Sequence, residues 1–162
     1  MSRRSLRLAG ASYVGYQRYF ATTCTALRRP VFTERWAATA VAERLRKDAP
    51  LSAFSLQAYC VMPDHVHLLV HAKSERADFQ AFMKRFKQMT GFAYKQQTRQ
   101  KLWQVGYHDR ILRDDESSET VARYILENPI RAGLTTAPGE YPHAWSDVYD
   151  LEALFSSWQT RT

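Results

Sequence analysis

The sequence predicts an α+β fold in which an antiparallel sheet carries packed helices. Extended runs and helical periodicities follow one another as strand, helix, strand, strand, helix, strand, helix, an order that suits such a sheet. Hydrophobic residues make up 45% of the chain and aromatics 13%, enough apolar surface to offset the entropy of ordering a core. A length of 162 residues fits one domain stable without disulfides or a structural metal. No repeat, low-complexity tract or Gly/Ser linker divides it, so one domain with tails is expected.

Tyr13 to Thr25, rich in aromatic residues and threonine, reads as the first strand. The basic arm before it, residues 1–12, carries Arg3, Arg4 and Arg7, which can lie on phosphates or simply fray as a terminus. From Glu34 to Asp48, Trp36, Ala37, Ala40, Val41 and Leu45 recur at helical spacing, and Pro50 bounds that helix. Leu56 to Val61 is extended, Met62-Pro63-Asp64 interrupts it, and His65 to His71 resumes as a strand. Between Asp78 and Gln97 the stripe Phe79, Phe82, Met83 and Phe86 reads as the core face of a helix. Lys84, Arg85 and Lys87 beyond its margin are available to a nucleic-acid backbone. Trp103 to Leu112 alternates as a strand, and Asp114 to Ser118 resembles a helix start rich in caps and acids. That helix runs to Asn128, where Pro129 is expected to stop it. In the tail, residues 136–162, Leu151, Leu154, Phe155 and Trp158 form a short helix expected to dock on the core rather than cover a groove.

Net charge is +7, which suits a polyanionic partner, nucleic acid first, although a merely basic globule would show the same sum. Cys24 and Cys60 form neither a CxxC pair nor a zinc cage and read as small core residues in a reducing compartment. Met1 to Gly10 lacks the apolar run of a secretory signal, and no stretch is long enough to span a bilayer. A cytoplasmic, nucleoid-associated protein with no membrane partner is expected.

His65 and His67 are one residue apart, which on a strand puts both imidazoles on one face, about 7 Å apart at their α-carbons. Two rings can then converge on one cation, while Val66, Leu68 and Val70 point the other way into a core. The same pair also reads as polar residues on a half-buried strand. Tyr124 and Asn128 are four residues apart, so phenol and amide stack on one helix face. The Asn128 carbonyl oxygen can complete the cation's shell, and Tyr124 can present its oxygen to a phosphodiester polarised by the same ion. A free phenol, with a pKa near ~10, needs such help to attack at neutral pH. Without the histidines, Tyr124 beside Val121 and Ile125 would read as a core tyrosine. Two imidazoles and an amide oxygen accept manganese, magnesium or zinc, and phosphate chemistry favours Mg2+ or Mn2+.

At these residues the chain resembles the REP-associated tyrosine transposases, relatives of the single-tyrosine insertion-sequence transposases in the HUH nuclease superfamily. The resemblance covers roughly Tyr19 to Trp145. It rests on Tyr19-Phe20-Ala21-Thr22, Arg28-Arg29-Pro30-Val31-Phe32, and Met62-Pro63-Asp64-His65-Val66-His67-Leu68-Leu69-Val70. Trp103, Tyr107-His108-Asp109-Arg110, Leu112-Arg113-Asp114 and the block Ala122 to Leu134 follow. The histidine block and the tyrosine block together are highly specific. Tyr141 to Ser146 is similar to a family segment whose tyrosine, proline, tryptophan and serine stand closer together, so His143-Ala144 reads as a local insertion.

The resemblance implies a ferredoxin-like (RRM-like) HUH nuclease fold over residues 13–135. It also implies cation binding by His65 and His67, and attack by Tyr124. Asn128 stands where other insertion-sequence relatives carry glutamine as the third protein ligand. The implied substrate is a hairpin from repetitive extragenic palindromic elements, flanked by a single-stranded guide and cut to a 5′-phosphotyrosine and a free 3′-hydroxyl that can rejoin. Arg110, Arg113, Arg123 and Arg131 become candidate phosphate contacts, or ion pairs beside Asp109, Asp114 and Glu127. The related group favours monomers, with dimers known among its relatives. The competing readings are a catalytically silent DNA-binding regulator and a metal phosphodiesterase that uses water.

Overall fold

The computed structural model describes residues 12–159, with side chains described through 156, so Arg3, Arg4, Arg7 and the basic arm that carries them lie outside the described residues, as does the Trp158 side chain. The elements in chain order are β1 (Arg18–Cys24), α1 (Arg35–Leu51), β2 (Phe54–Met62), β3 (His65–Ala72), α2 (Phe79–Thr98), β4 (His108–Ile111), α3 (Ser118–Arg131), β5 (Ala144–Trp145) and α4 (Leu151–Gln159). The strands form one sheet in the order β4-β1-β3-β2-β5, and every described pairing is antiparallel. Its first four strands, joined as βαββαβ, have the ferredoxin-like arrangement.

The sheet separates two cores. On one face Tyr19, Ala21, Val66, Leu68 and Val70 pack with the buried stripes of α1 and α2, including Leu45, Phe79, Phe82 and Phe86. On the other face Ala58, Cys60, Met62 and Leu69 meet Val121, Ala122, Ile125 and Leu126 of α3. Alternation along the strands makes this division, because successive side chains point to opposite faces. In β2 the alternation is reset once: Leu56 pairs with Val70 and Ala58 with Leu69, so Gln57 is an extra, bulged residue. Ser146 Oγ donates to the Gln57 carbonyl at 2.6 Å, fixing the bulge to the chain that follows β5.

Four boundaries differ from the sequence reading, each for a local reason. β1 starts at Arg18 rather than Tyr13, because Tyr13–Gln17 leaves the ladder and Val14 bridges Asp78 instead. β4 is confined to His108–Ile111, while Trp103 makes an isolated bridge to Thr25. α1 carries Pro50 inside its last turn and ends at Leu51. α3 runs through Pro129 to Arg131 instead of stopping at Asn128. Asn128 Nδ2 donates to the carbonyls of Tyr124 (3.1 Å) and Ile125 (3.3 Å), and the second of these is the one that the proline leaves without its i+4 amide.

The tail joins the same structure. His143 and Ala144, read as an insertion, belong to the β5 pairing: the His143 carbonyl accepts from Val61 N–H at 2.8 Å, and Ala144 pairs with Cys60. Leu154 of α4 is buried against the α3 core, as docking requires. No described helix is long and apolar enough to cross a membrane.

Candidate active site

The site lies on the sheet face that carries α3. β3 places His65, His67 and Leu69 on that face, and the antiparallel register sets Thr22 of β1 opposite His67. The two imidazoles stand edge to face, 4.7 Å between centroids. The His65 Nδ1 donates to Asp64 Oδ1 at 2.7 Å, and the His67 Nδ1 is hydrogen-bonded to the Thr22 hydroxyl at 2.7 Å. With Nδ1 engaged in each ring, Nε2 is the nitrogen left to carry a lone pair toward a ligand. Burial, followed by the charges of His65, Arg131 and Arg28, pushes His67 down to about 4 from 6.5, so it is neutral, the form that binds a metal. Burial favours a protonated Asp64, but the hydrogen bond from His65 and the guanidinium of Arg28, whose Nε lies 2.9 Å away, hold its carboxyl below the ordinary value.

Tyr124 reaches this face from the middle of α3, which begins at Ser117, whose hydroxyl caps Thr120 N–H. Val121, Ala122, Ile125 and Leu126 are buried, and Tyr124 stays 50% exposed. Its ring lies 6.2 Å from His67 and 6.2 Å from Phe20, edge-on to both, while Phe20 stacks on His67 at 5.7 Å. The Arg131 guanidinium sits 4.5 Å over the Tyr124 ring and donates to the Tyr124 carbonyl at 2.9 Å. Phe20, Thr22 and Asp64 thus buttress the three predicted side chains. Thr22 is found only through cross-strand register, whereas Asp64 had the visible signal of a carboxylate adjoining the first histidine.

The residues present suit a divalent cation: two converging imidazoles, one of them neutral by burial, each oriented through its other nitrogen. Among the described residues no third His, Cys, Asp or Glu joins them in a metal-binding group. Asn128, one turn beyond Tyr124, turns its Nδ2 onto the carbonyls of its own helix.

The basic candidates fall in different places. Arg110 lies 5.6 Å over the Phe20 ring and pairs with Glu116 at 2.7 Å, adjoining the site. Arg113 is exposed just before α3, and its carbonyl accepts from Arg18. Arg131 also pairs with Glu127 at 3.1 Å. Arg123 points to the tail, donating to the Leu154 carbonyl at 2.8 Å. Lys84 and Arg85 are exposed on α2, across the sheet from Tyr124.

Residues 14–128 match the family model described as "Transposase IS200 like". A Haemophilus influenzae protein named as a REP-associated tyrosine transposase is 26% identical over 102 residues, 56% of this chain and 58% of that protein, so the chain spans little over half the length of this relative. The fold is similar to the structure of a REP-associated tyrosine transposase bound to a REP hairpin, with TM-score 0.67 and 19% identity over 89% of this chain and 82% of that one. It is also similar to the crystal structure of a Deinococcus radiodurans R1 protein described as a transposase, with TM-score 0.52 and 26% identity over 74% of this chain and 95% of that one. With more than half of its length matched by the family model, and with the strand that carries His65 and His67 inside the match, the chain belongs to the IS200-like transposase family.

Proposed function

We propose that this protein cuts and rejoins single-stranded DNA at REP-type hairpins through Tyr124. The observation that carries this reading is a half-exposed phenol 6.2 Å from a buried, neutral histidine whose partner imidazole faces the same space. His65, His67 and the Asn128 Oδ1 would hold Mg2+ or Mn2+, which as a Lewis acid supplies polarisation of the scissile phosphodiester. The Tyr124 oxygen forms a bond to phosphorus as the bond to the 3′-oxygen breaks. The phenolic proton is released and the departing 3′-oxygen takes one up, leaving a 5′-phosphotyrosine and a free 3′-hydroxyl. Because the ester conserves bond energy, a 3′-hydroxyl can later attack it, restoring the phenol and joining strands. Arg131 over the ring and Arg110 beside Phe20 offer positive charge to the substrate phosphates.

Family membership supports the reaction class, and the likeness to a hairpin-bound relative supports the substrate. Tyr124 stands beside His67 of its own chain, which supports a monomer acting in cis. A cytoplasmic, nucleoid-associated location accords with that substrate.

The test is incubation with a labelled hairpin oligonucleotide and Mn2+, followed by denaturing electrophoresis. The wild type gives a denaturant-resistant protein–DNA adduct. Tyr124→Phe binds the DNA and gives none, and His65→Ala or His67→Ala cuts poorly. Cutting without any adduct would instead point to a water-using phosphodiesterase, and binding without cutting to a silent regulator.

A further inference from the structure

Leu27 and Val105 are the two most exposed large apolar side chains among the described residues, at 89% and 86%. Both line one surface depression of about 690 Å³ that also includes buried Trp103. An adjoining depression shares Trp103 and Val105 and runs on to Phe92, itself 64% exposed. Arg29 and Lys101 line the first, Lys87, Lys95 and Lys101 the second, and no acidic side chain lines either.

The Leu27 backbone makes this display costly. Leu27 and Arg28 have φ of 57° and 54°, the left-handed region in which an L side chain costs about 1–2 kcal/mol. Such strain persists where neighbours over-determine it. Here the Thr25 hydroxyl donates to the Arg29 carbonyl at 2.7 Å, and Arg28 donates through Nη1 to Cys24 Sγ at 2.8 Å and through Nε to Asp64 Oδ2 at 2.9 Å. Asp64 is the carboxylate that orients His65, so the loop that projects Leu27 is fastened to the site.

We propose that Leu27, Val105 and Phe92 form a platform for the substrate's unpaired DNA flank, its phosphates following Arg29, Lys101 and Lys95. This rests on the function proposed above and names where that substrate's single-stranded part lies. Apolar prongs set among cations, with no carboxylate between them, match a strand whose base faces are open and whose backbone is anionic. Paired DNA offers no free base faces to such prongs.

The experiment compares a blunt hairpin with the same hairpin carrying a ten-nucleotide single-stranded flank, by fluorescence anisotropy, with adduct yield measured on both. Leu27→Asn and Phe92→Ser are the variants; asparagine tolerates the left-handed conformation, so the fold is kept and thermal stability is unchanged or raised. The wild type binds the flanked hairpin more tightly, Phe92→Ser loses about tenfold on it, the effect of one lost base–aromatic contact, Leu27→Asn weakens it in the same direction, and blunt-hairpin affinity is unchanged. Lys95→Glu or Lys101→Glu lowers the slope of log affinity against log salt by about 0.7 on the flanked hairpin only. Equal binding of variants and wild type, or no gain from the flank, would each overturn the platform. Adduct formation that ignores the flank overturns the platform alone, whereas neither binding nor adduct in the wild type overturns the proposed function with it.

Discussion

Pro129 deletes the amide hydrogen that would bond to the Ile125 carbonyl, and the Asn128 side chain stands in for it with Nδ2 at 3.3 Å. The same amide presents Oδ1 as the proposed third ligand, so one residue serves both the helix and the site. These roles separate by mutation. Asn128→Ala leaves a carbonyl unsatisfied and is expected to cost about 1–2 kcal/mol, read from the urea midpoint. Adding Pro129→Ala restores the backbone donor and recovers that stability, while adduct yield stays low because the ligand is still missing. Full recovery of adduct in the double variant would remove Asn128 from the site. The spacing of Tyr124 and Asn128 was legible in the sequence because four residues make one helical turn; the amide's substitution for a missing backbone hydrogen bond was not, since it depends on the helix continuing past a proline.

Among the elements, α1 and α2 were legible because their apolar residues keep a period of 3.6, and β2 and β3 because each is a short apolar run broken from the other at Met62-Pro63-Asp64. β5 was not, because Ala144-Trp145 is too short to hold a period and its pairing with Tyr59 and Cys60 spans some eighty positions of the chain. β1 and β4 were overextended in the sequence reading for a related reason: Tyr13 and Trp103 have strand-like neighbours but pack beside the first core rather than in the ladder. The α4 helix bears on α3, with Leu154 buried and its carbonyl held by Arg123 from the turn that also carries Tyr124. Leu154→Ala is expected to cost about 2–4 kcal/mol in urea unfolding, as for other buried leucines. Because α4 supports the outer side of α3, adduct yield near the shifted midpoint falls in parallel with folded protein. A loss below 0.5 kcal/mol would show that the tail rests on the core without supporting it.

Across the whole molecule, burial raises the proton affinity of several acids that ionise only in alkali. It pushes the Cys60 thiol up to about 12 from 9.0, and burial with Asp78 and Tyr13 nearby pushes Tyr19 to about 12 from 10.0. Above about pH 9 the unfolded chain releases these protons and the folded one keeps them, so the unfolded state binds fewer and stability falls as pH rises toward 12. Thermal melts from pH 8 to 11 are expected to show a steady decline, smaller in Cys60→Ala after its own packing loss at pH 8 is subtracted. An unchanged decline in that variant would place the titration elsewhere. That the two imidazoles share one sheet face, by contrast, was legible in the sequence because an HxH pair on a strand needs only local geometry; their hydrogen bonds to Thr22 and Asp64 needed the fold. The sheet's register also gives the bulge in β2 a reach beyond its own strand. Were Gln57 to join the ladder opposite Leu69 instead of bulging, the remainder of β2 would slip by one residue and turn over, sending Tyr59 and Val61 beneath α3 in place of Ala58 and Cys60. The helix would then ride up on bulky neighbours and lift its phenol off the histidines, so the spacing between Tyr124 and His67 is set by one surplus residue two strands away from Phe20.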